Sequence, residues 1–267
     1  MSKGEKYPKL ERQPLTLVLA EFRFGPAADM SGAISDFCGH TDAQTAIFEE
    51  RLTQEVQTGP EGISIRKPGK IWFSLNHDQG RMIQLEKDRL IVATTKYPRF
   101  DAFAGECLNN VRALEKAVKP ENLLRVGLRY NDAVVPLEGE NLEQYLDAKL
   151  LPVLLLESRG GIFERHKTET RVRTHSGLLA LRVLMGRHGL GVMPDLAGNL
   201  SLELPVSVPK DRVTAVLDFD HFWKPSAEST APFTAKEVDK RLRALHQAAR
   251  AAFWEITTDF ARRERWA

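Results

Sequence analysis

The chain has 267 residues, 38 Lys and Arg against 36 Asp and Glu, a net charge of +2, and 42% apolar and 28% charged residues. A chain of this length buries about 70–75% of its unfolded surface, so it needs no disulfide or metal staples, and its near-zero charge makes no case for an anionic partner taken whole. Cys38 and Cys107 lie in no metal or redox spacing, residues 1–15 lack the apolar core of a signal peptide, and the longest apolar run, 150–157, is too short to cross a bilayer; together these give the expectation of a cytoplasmic protein.

Residues 1–14 read as an extended lead-in broken by Pro8 and Pro14, followed by a strand over 15–24. Its alternation puts Val18, Ala20, Phe22 and Phe24 on one face and Leu17, Leu19, Glu21 and Arg23 on the other. A helix is expected near 41–57, capped by Thr41 or Asp42, with Ile47, Leu52 and Val56 as its apolar stripe. A β-meander follows: 62–67 and 70–76 as one strand or two, then 81–87 and 89–96, with turns at 78–80 and 87–88. Phe103, Cys107, Val111, Leu114 and Val118 recur at helical spacing over 100–118.

The order then recurs with a strand over 123–135, a helix near 141–151, a hairpin of strands 162–174 and 177–187, a Gly/Pro-rich loop over 188–211, and a strand over 212–223. The last helix, 235–262, carries the plainest start signal: Thr234 and Glu237 are spaced as a capping box, with Phe233 and Val238 as the hydrophobic staple across it. Leu242, Leu245, Ala249, Phe253, Ile256 and Phe260 form its apolar face. The elements spell β-α-β-β-β-α twice, dividing the chain into halves 1–120 and 121–267 within one compact unit. The expected fold is α+β, a curved antiparallel sheet with helices on one face, as in the TATA-binding-protein-like or helix-grip arrangements.

Three stretches are candidates for chemistry. In the opening strands Phe22-Arg23-Phe24 is answered by Leu128-Arg129-Tyr130, and the two-residue period puts Glu21, Arg23, Arg125, Arg129 and Asn131 on the helix-free face. If the first strands meet at the axis between the halves, Arg23 and Arg129 converge on a phosphate or carboxylate; the plainer alternative pairs each with a local carboxylate, Glu21 and Asp132 being at hand. The second stretch is 160–177, where Arg165, Lys167, Glu169, Arg171 and Arg173 share one strand face. Residues 159–188 hold seven Lys/Arg, two acidic residues and three His, while 132–147 hold five acidic residues and no basic one. This is either a surface for a protein or nucleic-acid partner or an edge strand whose charges prevent aggregation. The third is "LDFDHFW", 217–223: Asp218 and Asp220 share a face, His221 points the other way, and no ligand spacing supports a metal, so the aspartates are expected to answer arginines on neighbouring strands. No nucleophile elbow, phosphate loop or dinucleotide fingerprint is present, and no catalytic residue, cofactor or metal is expected. His246 sits at the edge of the last helix's apolar face, where packing and a hydrogen bond are the ordinary role.

The segments "YPKLERQPLTLVLAEFRF", "LLRVGLRYND" and "LDFD…LRALHQAARAAFWEITTDFARRERW" resemble an uncharacterised, sporadically distributed bacterial family of about this length. Glu21, Phe22, Arg23, Gly127, Leu128, Arg129, Tyr130, His246, Phe253 and Thr257 stand at the matching positions. The resemblance brings no activity; patchy distribution is typical of mobile, defence or toxin–immunity loci. The leading expectation is therefore a non-enzymatic cytoplasmic binding protein with a protein partner, such as an immunity, antitoxin or defence component. The alternatives are a nucleotide or other anionic small-molecule binder, either non-catalytic or an enzyme, using Arg23 and Arg129, and a nucleic-acid binder using the basic sheet surface; no membrane association is expected.

Overall fold

The computed structural model describes residues 7–27, 29–41, 48–53, 56–59, 62–65, 69–153, 159–197, 201–226 and 229–267. Its elements run β1 (Leu15–Phe24), α1 (Met30–His40), β2 (Glu49–Thr53), β3 (Val56–Gly59), β4 (Gly62–Ile65), β5 (Gly69–Leu75), β6 (Arg81–Glu86), β7 (Arg89–Thr94) and α2 (Phe100–Ala117). They continue with β8 (Leu123–Val134), two 3-10 turns (Leu142–Gln144 and Ala148–Leu150), β9 (Arg165–Thr174), β10 (Gly177–Gly186), α3 (Pro194–Ala197), β11 (Thr214–Trp223) and α4 (Ala235–Ile256). Nine strands form one curved, wholly antiparallel sheet in the order β2-β5-β6-β7-β1-β8-β11-β10-β9; β3 and β4 pair separately. The two opening strands, β1 and β8, are neighbours at its centre.

The sheet's alternation decides what each face buries. Val18, Ala20, Phe22 and Phe24 of β1 and Val126 and Leu128 of β8 are wholly buried against Phe103, Cys107, Val111 and Leu114 of α2 and Val238, Leu242 and Leu245 of α4. Thr234 caps α4, its hydroxyl accepting from the Glu237 N–H, and Phe233 and Val238 are buried on either side of the cap. The opposite face is not bare. Val192 and Leu196 cover Leu17, Phe73, Met82, Ile91 and Ala93, and Met193 covers Leu184 and Val216, so residues 190–196 pack as a partial second layer. The β9–β10 turn demands glycine at 177: φ is +153°, and a Cβ would lie 2.1 Å from the Phe222 carbonyl oxygen.

Two expected helices are corrected. Within 41–57, residues 42–47 and 54–55 lie outside the described residues, 49–53 is strand β2, and Leu52 is 70% exposed. The helix of this region lies earlier, at α1, where the Asp29 carboxylate accepts from the Gly32 N–H and only Met30 and Phe37 are buried; Thr41 ends it. Over 141–151 there are two single turns, because Asn141 and Asp147 each turn their side chains onto nearby backbone N–H groups and restart the chain. The last helix stops at Ile256, since Thr257 is extended, and a π-helical turn follows over Ala261–Arg265.

Candidate functional site

The helix-free face carries a connected ladder of ion pairs. In the β1–β8 register Arg23 lies opposite Arg125, and Arg129 lies opposite Leu19. The two signalled arginines are thus four residues apart along the sheet, roughly 13 Å, and do not converge. Arg23 donates to both oxygens of Glu21 at 3.0 and 3.3 Å. Glu21 also lies 3.2 Å from Arg125 and 3.5 Å from Arg89. Burial would raise its carboxyl, but the Arg23 hydrogen bond and the charges of Arg125, Arg23 and Arg89 outweigh burial and hold it below the usual carboxylate range.

Arg129 is more completely engaged. Its Nε and Nη2 grip the fully buried Asp218 carboxylate at 2.7 and 2.9 Å, while Nη1 and Nη2 reach Asp195 of α3 at 2.8 and 3.1 Å. Asn131 donates to Asp218 at 3.0 Å and accepts from the Met193 N–H at 2.9 Å. Arg182 joins Asp218 at 2.8 Å, Glu169 at 2.7 Å and Asp220 at 3.5 Å. Asp218 and Asp220 thus answer arginines of β8 and β10, as expected, and β8 uses Arg129 and Asn131 to pin the α3 segment onto the sheet. Asp132 is not Arg129's partner: they are three positions apart, an odd offset, so they lie on opposite faces. His221 is buried on the helix side, bonded to the Leu245 carbonyl at 2.9 Å and the Thr174 hydroxyl at 3.0 Å. Among the described residues no cluster of three or more His, Cys, Asp or Glu side chains is arranged to hold a metal, and no helix is long and apolar enough to cross a membrane. Arg165, Lys167, Arg171 and Arg173 are exposed on β9, the outermost strand.

The other side of the sheet holds a cavity of about 360 Å³ between the 8–15 lead-in, the start of α2, β8 and α4. Phe100, Phe219, Phe253 and Trp254 supply aromatic wall, and Asp132 and Tyr130 of β8 supply the polar part. Tyr130 and the Nδ1 of His246 are hydrogen-bonded at 2.8 Å, and the imidazole lies flat on Phe100, with ring centroids 3.9 Å apart and planes at 2°. Tyr97 stands edge-on to Tyr130, 6.0 Å between centroids. Burial, reinforced by the charges of Arg250 and Arg243 and opposed by Asp101, pushes His246 down to about 4, so the ring is neutral at pH 7.

Asp132 is the anomaly of this site. It occupies a central strand in the apolar phase of the alternation, is only 5% exposed, and receives no hydrogen bond from a side chain among the described residues. Burial, with the charge of Asp218 behind the sheet, pushes its carboxyl up to about 8, so at pH 7 it is mainly a protonated acid able to donate as well as accept. The backbone beside it is irregular: Leu15 pairs with Asp132 and Leu17 with Asn131, leaving Thr16 as a bulge whose hydroxyl bonds to the Asn131 and Gly191 carbonyls. Such bulges re-aim the side chains around them.

Tyr130, His246 and Phe253 line this cavity, and the first two are bonded across 116 residues of chain. No protein-family model matches the chain, and no curated protein is similar to it.

Proposed function

We propose that the chain is a cytoplasmic binding protein whose helix-side cavity takes a small organic molecule. The observation that carries this reading is Asp132. Its carboxyl lines an aromatic cavity, with no hydrogen bond from a side chain among the described residues, and a perturbed carboxyl in a cleft is the ordinary mark of a binding site. The cavity volume falls within the range of small-molecule sites, and an aromatic wall with few convergent polar groups is their ordinary composition. The arginines of the other face lend no support to an anion site at Arg23 and Arg129, because they stand four residues apart along the sheet, Arg23 is bonded to Glu21, and all three Arg129 nitrogens are held by Asp218 and Asp195. The test is a thermal-shift and ligand-observed NMR screen of a chemically mixed fragment library against the wild type and Asp132→Leu. Hits lost in the variant support the reading; a folded variant that keeps every hit, or a library with no hits, removes it.

A second reading rests on β9, where four exposed cations on an edge strand suit an acidic protein or nucleic-acid partner. Binding to duplex nucleic acid that weakens steeply with salt, and falls in Arg171→Gln/Arg173→Gln, would support it.

A further inference from the structure

We infer that the cavity is built for a small organic acid: a planar apolar body whose anionic group lies at the arginine-lined mouth and whose neutral hydrogen-bonding end meets Asp132. This rests on the proposal that the cavity is a ligand site and adds the class of ligand.

The lining is graded by burial: Asp132 and Tyr130 are buried, Phe100 and the neutral His246 are half-buried, and Arg99, Asp101 and Arg243 are exposed. Cations concentrate around the opening. Arg99 is exposed there and makes no ion pair among the described residues. Arg250 lies over the Tyr7 ring, 5.6 Å from its centroid, and donates to the Tyr7 carbonyl. Arg243 is already committed, to Asp101 at 2.7 Å and Asp239 at 2.9 Å. With Asp101 the one carboxylate set against Arg99, Arg243 and Arg250 in this part of the lining, cations outnumber anions there. A cationic amine would meet that excess of positive charge on entry, against the like-charge penalty, whereas an acid is drawn in by it. At the inner end, a carboxyl that keeps its proton donates to a carbonyl, hydroxyl or ring nitrogen and needs no counter-charge. The stacked Phe100–His246 pair and Trp254 favour a flat body between the two ends.

Three probes with one ring system separate the possibilities: indole-3-acetate, indole-3-acetamide and tryptamine, an acid, a neutral amide and an amine, each titrated calorimetrically at pH 7 and low salt. Indole-3-acetate is expected to bind at least roughly tenfold tighter than tryptamine. Arg99→Gln should weaken the acid several-fold and leave the amide unchanged. Asp132→Asn should retain the acid, because its amide still donates, while Asp132→Leu should lose it. Tighter or equal binding of tryptamine overturns the inference, as does silence from all three probes or an Arg99→Gln variant with undiminished affinity for the acid. In each of those cases the cavity remains a ligand site if the mixed library gives hits that depend on Asp132. A library without such hits removes both.

Discussion

Asp132→Asn tests whether the buried carboxyl is held protonated by the fold. The native group titrates at about 8, against an ordinary value of 3.8 when the chain is unfolded. Between these values the unfolded chain has lost the proton that the native protein keeps. The native state therefore binds more protons, and stability falls as pH rises, by about 1.4 kcal/mol per pH unit. Over the full window the burden comes to about 6 kcal/mol, an order-of-magnitude figure and a large share of the stability of an ordinary domain. Asparagine has nearly the same shape and no charge to suppress, so it escapes this term. Urea unfolding of both proteins at pH 4.5, 6.5 and 8 reads the difference, and every other titrating group cancels between them. The variant should be close to wild type at pH 4.5 and exceed it by several kcal/mol at pH 8, with unchanged m-values. Parallel stability profiles for the two proteins would refute the reasoning, since they would mean that Asp132 is ionised or solvated in the native state.

His246 behaves in the opposite sense. Its native value near 4 lies below the ordinary 6.5, so its contribution is fully present above pH 6.5 and is lost as pH falls toward 4. Ring-proton NMR should show a midpoint well below 6.5, and a midpoint near 6.5 would place the ring in solvent. The two signalled arginines should also part company. The Arg23 side chain is 46% exposed, and its partner Glu21 keeps Arg125 and Arg89, so Arg23→Ala should cost at most about 1 kcal/mol. Arg129 is 12% exposed on a wholly buried carboxylate and ties down α3, so Arg129→Ala should cost about 3–5 kcal/mol by urea denaturation. Equal losses would contradict this division.

The elements that were legible from sequence are those with a long, clean period and a capped end. β1, α2, β8, β10, β11 and the start of α4 fall within a residue or two of their expected bounds, because alternation or a helical stripe persists over ten residues or more. α1 was hidden because "MSGAISDFCGH" buries only two side chains, and its cap is an aspartate in a stretch of small residues. The 141–151 turns were misread because Asn141 and Asp147 compete for the backbone, an effect no periodicity registers. For the arginines, the period supplied the face and the strand adjacency, but register depends on details such as the Thr16 bulge, and register is what keeps Arg23 from Arg129.

Asp132 carried a readable signal of a different kind. Val126, Leu128 and Tyr130 define the helix-facing phase of β8, and Asp132 continues that phase, so a charged residue stands where the period demands an apolar one. The same alternation puts Arg129 on the other face, so Asp132 cannot be its partner. His246 broke the stripe of α4 in the same way, at the margin of its apolar face. Each violation alone has an ordinary structural explanation. The fold brings both to one cavity, where Tyr130 bonds to His246 and Asp132 meets no side-chain donor among the described residues. A buried polar residue matched by a partner is sufficiently explained by the fold, as His221 is by Leu245 and Thr174. Asp132 has no such partner among the described residues, and on our proposal a ligand supplies it; this difference, more than the density of charge, separates the helix side of the sheet from the arginine ladder behind it.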